Sequence, residues 1–446
     1  MKDTFASLRL HNYRVWFLGA LFSNVGTWGQ RVAQDWIVLT VFTDDDGWWV
    51  GVVTALQFGP SLLLSPVGGL MADRWDRRKV LMCTQVIQAV LAFSFGGLLL
   101  AGRMNLGLIC LFAALTGTVT GFDSPFFQTF VGQLVGPRLL SNAVGLNSAN
   151  FNAARMIGPA VAGLALAKWD AGWVFLFNGF SFVTTFTALS VMRVRELNPM
   201  PVAVKAKGQI REGLAFVRHR SDLVVILSVM GVVGCLGLNA QLTMGVMARG
   251  AFDKGAGEYG LLGSLFAVGA LIGSLLAARR ARPRVRLVVG SALAFGVTSS
   301  ISALSPWYWF YAASGVLVGA ATLTLITAAN SAIQLSVEPE MRGRVVAIYM
   351  MVFVGSTPIG APLVGWIANE WGPRWSIGVG AIASAAAALV ALIWTRTHWH
   401  VSVRVTHWLP PHMSIVNPSA GEVDGAAGTA GAAGAQADGD VIGEDN

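Results

Sequence analysis

Long apolar stretches, separated by short polar segments, recur along the chain at lengths close to the roughly 20 residues that a helix needs to cross a bilayer. Each span must pair its own backbone amides, because a membrane interior offers no water, so the spans are predicted to be helices. Twelve spans are predicted, at about 14–42, 48–71, 80–101, 105–128, 144–168, 172–192, 222–248, 257–278, 287–305, 307–333, 345–369 and 374–395. The pattern indicates an all-α integral membrane protein.

Lysine and arginine are distributed unevenly between the segments that join these spans. Twenty-four of the 31 lie in alternate segments that begin with the N-terminus, and five lie in the others. The positive-inside rule therefore predicts a multi-pass protein of the cell membrane with both termini in the cytoplasm. Topology accounts for the net charge of +8. The lipid bilayer is the expected surroundings, and no nucleic-acid partner is expected.

A shift of 202 positions superimposes the fifth predicted span on the eleventh. The pairs that match are Pro137 with Pro339, Gly158 with Gly360, Gly163 with Gly365, Trp169 with Trp371 and Trp173 with Trp375. Similar composition of two membrane helices explains matched glycines, but the matched tryptophan spacing favours an internal duplication, as in many transporters. Four segments are predicted: a six-helix bundle at 1–192, a cytoplasmic linker at 193–221, a second six-helix bundle at 222–396 and a disordered tail at 397–446.

The tail is rich in glycine, alanine and acidic residues, which cannot bury enough apolar surface to become ordered. Its first part, Thr397 to Ser414, contains four of the six histidines, His398, His400, His407 and His412. Their spacing favours a solvated segment over a metal site, and no metal or cofactor is expected. The linker run Gln209 to Arg220 is compatible with an amphipathic helix.

The turn between the second and third spans carries six charges in the seven positions 73–79, within the stretch GGLMADRWDRRKVL. This stretch resembles the corresponding loop of the major facilitator superfamily, G-x-L-x-D-R-x-G-R-R-x-x-L. The matching residues are Gly69, Asp73, Arg74, Arg77, Arg78 and Leu81. Met71 replaces a leucine and Asp76 a glycine. The resemblance covers about residues 5–396 and is closest to the exporter branch that includes the enterobactin exporter and the transmembrane secretion effectors.

The resemblance implies two pseudo-symmetric six-helix bundles that rock about a central site. It also implies that the 73–79 turn is a gating latch that meets the start of the eleventh helix, near Arg344 to Ala347. Acids there can face the amides of a helix N-terminus, and arginines can pair with acids of neighbouring helices. Asp123 is the acid expected for Arg77. The alternative is that the bases only fix the topology.

The fifth span contains small residues in the pattern of the superfamily's antiporter motif. The matching positions are Gly145, Gly158, Pro159 and Gly163, with Ala154 and Ala162 in two glycine places. Small residues let helices approach closely, and the proline bends the helix. The resemblance implies export, whereas tight packing without directional meaning is the alternative.

Three charged residues lie inside predicted spans, where they are costly and normally face a cavity or the protein interior. Arg31 and Asp35 are four residues apart and share a helix face, so they can neutralise one another. Asp35 is the candidate for proton coupling, and Arg155 for substrate binding or charge relay. A structural role is the alternative for each. The arginine usual in the fourth helix of this family is missing.

Polar residues in the spans are further candidates for the cavity. They are Asn24, Trp28, Gln30, Gln57, Asn147, Asn150, Asn239, Gln241, Asn330 and Gln334. Such groups often only join helices to one another.

These features predict a secondary active transporter that expels an amphipathic or hydrophobic small molecule in exchange for protons. The outward direction is what the antiporter motif implies. A monomer is the family's default. An importer of a small metabolite on the same scaffold is the alternative, and a membrane enzyme or receptor is a third. An enzyme is disfavoured because the chain has no HExxH, GxSxG or P-loop pattern.

Overall fold

The computed structural model describes residues 5–72, 74–198, 209–278, 285–399, 402–405 and 413–416. Its α-helices are α1 (His11–Ile37), α2 (Gly47–Ala72), α3 (Arg77–Leu100), α4 (Leu106–Lys168), α5 (Gly172–Ser190), α6 (Gln209–Arg218), α7 (Ser221–Leu236), α8 (Ala240–Val246), α9 (Ala256–Ala278), α10 (Val285–Ala303), α11 (Tyr308–Ser336), α12 (Pro339–Trp371) and α13 (Pro373–Trp399). Two short strands follow, β1 (Ser402–Val405) and β2 (Met413–Val416).

Ten helical segments within the described ranges are long and apolar enough to cross a membrane. One of them, α4, has 63 residues. At 1.5 Å per residue it would extend about 95 Å, roughly three times the apolar thickness of a bilayer, so it contains two spans. Helix α1 has 27 residues but is not among the ten. The predicted helical membrane fold is confirmed, while the number twelve stays a prediction.

Helix α4 is broken at Gly136, whose φ of 68° and ψ of 177° suit glycine. Pro137 follows, at a helix start where its missing amide costs nothing. The carbonyl of Gln133, released by the break, accepts hydrogen bonds from the backbone amide of Asn198 at 2.8 Å and from its side chain at 3.1 Å. The residues between the predicted spans 105–128 and 144–168 are thus helical on both sides of this break.

The predicted seventh span, 222–248, is interrupted. Helix α7 ends at Leu236 and α8 begins at Ala240, and the amides of Gly237 and Leu238 both bond to the carbonyl of Val233. Hydropathy cannot reveal this interruption, because the residues around it remain apolar.

The predicted linker helix is confirmed as α6. The structure differs from the predicted disorder of 397–446 at Thr397–Trp399, which end α13, and in strands β1 and β2, which pair antiparallel with Ser402 opposite Val416. Valine and isoleucine in these strands favour an extended backbone. The other residues of the tail lie outside the described ranges. The described residues up to Ala387 form one compact unit and those from Ala388 onward a second. The predicted boundaries at 192 and 222 stay a prediction.

Two apolar clusters lie toward opposite ends of the helices of the first unit. We call the end that holds Tyr13, Trp16 and Leu81 the inner end, after its predicted side, and the opposite end the outer end. The inner cluster consists of residues from the N-terminal half alone. The outer cluster joins both halves, with Leu39 and Val53 from one and Tyr259 and Val364 from the other.

Candidate functional site

Two adjoining cavities lie between the helices. The first, the polar cavity, has a volume of about 670 Å³ and is lined by residues of the N-terminal half, many of them glutamine, asparagine, serine or threonine. The second, the apolar cavity, has a volume of about 250 Å³ and is lined by both halves. Trp28, Phe58 and Phe151 border both cavities. The two cavities therefore form two lobes of one site.

Trp28 is in contact with both arginines that the sequence places inside spans. The guanidinium carbon of Arg31 lies 5.1 Å from the ring centre of Trp28, and that of Arg155 lies 5.2 Å from it. Arg31 also lies 5.2 Å from the ring of Phe58, and Arg155 lies 5.4 Å from the ring of Phe266 in α9. Aromatic faces attract cations at these distances. The rings hold both guanidinium groups at the junction of the two cavities.

Asp35 is buried one helical turn beyond Arg31, with 7% of its surface exposed, and it lines neither cavity. It interacts electrostatically with Arg31, as predicted, but the guanidinium nitrogens and the carboxylate oxygens are more than 4.0 Å apart, so the two do not form an ion pair. Its carboxylate also interacts with the hydroxyl of Tyr259, which belongs to the other half. Tyr259 donates to the carbonyl of Gln241 at 3.2 Å and stacks on Trp36. Asp35 thus lies at the interface between the halves.

The predicted residues Asn24 and Gln57 line the polar cavity. Asn24 donates to Asn150 at 3.2 Å, and Asn150 donates to the carbonyl of Phe17 at 2.8 Å, so this pair also joins α1 to α4. Asn147 and Gln30 line the same cavity. The predicted candidates Asn330 and Gln334 bond to one another and line neither cavity.

Asp123 lines the polar cavity near its inner end, beside Phe122, which packs on the inner cluster. Thr84 donates a short hydrogen bond to its carboxylate. The sequence predicts Arg77 as the partner of Asp123, but the partner in the structure is the hydroxyl of Thr84 in α3. Thr84 lies about two helical turns farther along α3 than Arg77, at the level of Asp123, whereas the Arg77 guanidinium folds back on α2 and donates to the carbonyl of Ala72 at 2.9 Å.

The other residues of the 73–79 turn, which we call the charged turn, make contacts within the N-terminal half. Arg78 donates to the carbonyls of Leu189 and Ser190 in α5, at 2.7 and 3.2 Å. Asp76 caps α3 through the amide of Lys79. Gly69 lies in the last turns of α2, Arg74 is exposed, and Asp73 lies outside the described residues.

The expected partner of the charged turn, the start of α12, is bonded elsewhere. Arg344 donates to Glu212 of α6, and Ala347 is exposed. A latch between the charged turn and α12 stays a prediction.

The antiporter motif lies along α4 where it meets α1 and α9. Gly158 leaves no room for a side chain against Val25, Trp28 and Gly29, and Gly163 faces Ala256 and Gly260 in the same way. Pro159 packs on Gly263. At Gly145, nearer the inner end, a β-carbon would meet nothing within 4 Å. The motif is packed across the halves at its outer part and open at its inner part.

A set of polar contacts across the outer end was missed by sequence reasoning. Arg249 pairs with Asp45 at 3.1 Å, and Asn369 accepts from the amide of Gly47 at 2.8 Å and donates to Asp46. We call these contacts the outer clasp. The signal available in the sequence was the run of three acids at 44–46 facing a base at 249 in another predicted outer loop.

The interruption between α7 and α8 was also missed. Leu236, Gly237 and Leu238 line the apolar cavity, and the side-chain oxygen of Asn239 is buried without a hydrogen-bond partner among the described residues. Transporters commonly build their sites from such discontinuous helices near the middle of the membrane.

No group of three potential metal ligands occurs within the ranges that the structure describes. Three of the four clustered histidines, His400, His407 and His412, lie outside those ranges, so the expectation that the four bind no metal stays a prediction.

A helical membrane fold with a two-lobed site between its halves defines a class of protein, the membrane transporters. The chain matches the family model described as transmembrane secretion effector over residues 2–424, and it belongs to that family. The resemblance inferred from the charged turn is thereby confirmed.

Similar proteins agree with this assignment. The chain is 23% identical to the staphyloferrin A transporter of Staphylococcus aureus (strain NCTC 8325 / PS 47) over 383 residues, which are 80% of this chain and 90% of the relative. It is 20% identical to macrolide efflux protein A of Streptococcus pyogenes over 351 residues, or 77% and 87% of the two chains. A POT family transporter in complex with a thioalcohol conjugated peptide shares the fold, with a TM-score of 0.70 and 10% identity over 86% of this chain and 96% of that chain. This chain is a secondary active transporter of the major facilitator type.

Proposed function

We propose that this transporter exports an amphipathic or hydrophobic small molecule in exchange for protons. The observation that carries the proposal is the position of Asp35, a carboxylate buried at the interface between the halves and beside a hydroxyl of the other half. An ionisable group at this depth is costly and normally has a function. Its protonation changes a contact between the very bodies that must move.

The hydrogen bonds of Tyr259 make this contact depend on whether Asp35 is protonated. The hydroxyl has one proton, which it donates to the carbonyl of Gln241. A protonated Asp35 can donate to the hydroxyl oxygen, whereas an ionised Asp35 competes for the hydroxyl proton. Protonation of Asp35 therefore changes the hydrogen bonds that Tyr259 makes at the contact between the halves.

The outer end is packed across the halves and the antiporter motif is open at Gly145, which supports a conformation accessible from the inner side. Loading from that side followed by rocking of the two halves would expel the cargo. We propose that the protein works as a monomer in the cell membrane, with both termini cytoplasmic, and that it catalyses no reaction.

The test is transport by the purified protein in proteoliposomes with an imposed pH gradient, using a panel of fluorescent amphipathic dyes of each charge type. Molecules in the inverted orientation should accumulate a dye when the lumen is acidic. Asp35→Asn should abolish this accumulation, because the amide cannot exchange a proton, while leaving exchange of dye across the membrane without a gradient.

Asp170→Asn is the matched control, since Asp170 is exposed and caps α5 through a bond to the amide of Gly172 that asparagine can retain. Accumulation driven by sodium and not by protons would show that the coupling ion is wrong. Unchanged gradient-driven transport by Asp35→Asn would show that Asp35 is structural.

A further inference from the structure

The charges of the two-lobed site do not balance. Arg31 and Arg155 line it, and neither has a carboxylate within 4.0 Å among the described residues. Among the lining residues the acid is Asp123, which is bonded to Thr84 near the inner end. Asp35 lies one turn behind Arg31, where it interacts with Arg31 electrostatically from beyond 4.0 Å and also with Tyr259. The junction of the lobes therefore carries an excess of positive charge.

The two guanidinium groups are close enough to bind one molecule. Each lies about 5 Å from the centre of the Trp28 ring, so their central carbons are no more than about 10 Å apart. Each also rests on a second ring, Phe58 or Phe266, which fixes its position without neutralising its charge. Two cations held this near repel one another, and an anion between them would relieve the repulsion.

The apolar cavity next to this junction completes a binding site for an amphipathic molecule. Its lining includes Leu262, Phe295, Tyr311 and Phe353 from the C-terminal half, and Arg155 borders it from the other half. An apolar body placed there would touch both halves while its polar group faces the arginines.

We propose that the cargo is an amphipathic organic anion, whose carboxylate binds Arg31 and Arg155 beside Trp28 and whose apolar body fills the apolar cavity. This inference rests on the proposed transport function and adds the charge of the substrate to it. Guanidinium groups donate paired hydrogen bonds to carboxylates, which a neutral or cationic head group cannot accept equally well.

The experiment compares three probes with one ring system: 1-naphthylacetate, 1-naphthylacetamide and 2-(1-naphthyl)ethylammonium. Their dissociation constants are measured by isothermal titration of the full-length protein in nanodiscs, with empty nanodiscs subtracted. We expect the anion to bind about tenfold or more tightly than the amide, and the cation to bind most weakly. Arg31→Gln and Arg155→Gln should each remove most of the preference for the anion, while Arg155→Lys should retain a large part of it.

Arg103→Gln is the control for a general loss of positive charge, because Arg103 is exposed in the turn between α3 and α4. Phe295→Leu, in the apolar cavity but not against either guanidinium, is a second control, which should weaken all three probes by similar factors. Equal affinity for the three probes, a preference for the cation, or an anion preference that survives both glutamine substitutions would overturn the proposal. Anion binding without proton-driven transport would contradict the proposed function and leave this inference standing, and proton-driven export of cationic dyes alone would do the reverse.

Discussion

The two ends of the helical bundle differ in how the halves meet. At the outer end the apolar cluster contains residues of both halves, and the outer clasp adds polar contacts between Asp45 and Arg249 and between Asn369 and the start of α2. At the inner end the apolar cluster belongs to the N-terminal half alone, and Arg78 and Asp76 bond within that half.

The difference shows that the residues that attract attention in a sequence need not hold the conformation that is observed. The charged turn is dense and matches a family pattern, yet Arg344 of its expected partner segment is bonded to α6. At the outer end the two halves are held together by close backbone contact, apolar packing and a few dispersed polar residues. If the halves rock, the two ends should exchange these roles.

The largest effect is expected where the backbones of α2 and α12 touch. A β-carbon at Gly51 would collide with the carbonyl of Ala361, so Gly51→Leu should prevent the outer end from closing. Overpacking of this kind costs about 1–3 kcal/mol or more, which shifts a two-state population by roughly fivefold to over a hundredfold. We expect transport to fall by at least about tenfold, measured as dye flux per molecule in proteoliposomes.

The matched control is Gly59→Leu on the same helix, where a β-carbon would meet nothing within 4 Å. It introduces the same side chain and should retain most of the transport. Thermal unfolding of both variants separates a conformational effect from loss of the folded protein. Similar transport by Gly51→Leu and the unsubstituted protein would contradict the importance of the outer contact.

The membrane spans could be predicted from the sequence because bilayer thickness fixes the length of each apolar segment. The predicted span 48–71 corresponds to α2 at Gly47–Ala72, and 257–278 to α9 at Ala256–Ala278. Arg31, Asp35 and Arg155 could be selected because a charge inside an apolar run is conspicuous.

What could not be predicted depends on the packing of distant segments. Asp45 and Arg249 are 204 residues apart, and charges in loops are ordinary in any membrane protein. That Arg31 and Arg155 share one tryptophan follows only from the packing of α1 against α4. That Asp123 meets Thr84, and not Arg77 two turns earlier on α3, has the same origin, since hydropathy defines helices but not the level at which their residues meet.

A second prediction concerns the charged turn in the opposite conformation. In a background with Cys83, Cys110 and Cys235 replaced by alanine, Trp75→Cys and Ala347→Cys place thiols on the turn and on α12, at two exposed positions. A short bismaleimide should link them poorly in the conformation described here. Adding Gly51→Leu should raise the linked fraction several-fold, as judged by gel mobility after cleavage between the halves.

Gly59→Leu in the same background should leave the linked fraction low. An equal yield with and without Gly51→Leu would mean that opening of the outer end does not bring the charged turn to α12. The latch implied by the resemblance would then be wrong, and the turn would serve only to fix the topology.

The smallest effect is expected from the ion pair of the outer clasp. Asp45 and Arg249 are 44% and 40% exposed, so solvent and salt screen their attraction, and such pairs contribute about 0.2–1 kcal/mol. The pair should therefore change the open-to-closed population by about fivefold at most.

We propose to measure this with a double-mutant cycle of Asp45→Asn and Arg249→Gln, using the labelling rate of a cysteine introduced at Leu39 in the outer cluster. Arg249 also pairs with Asp253 of its own half, a contact that can persist when the halves separate, so the cycle is needed to isolate the part shared with Asp45. The coupling should shrink when salt is raised from 0.01 to 1 M, since the Debye length falls from about 30 to 3 Å. A coupling well above 1 kcal/mol, or one that salt leaves unchanged, would mean that the clasp and not the apolar packing closes the outer end.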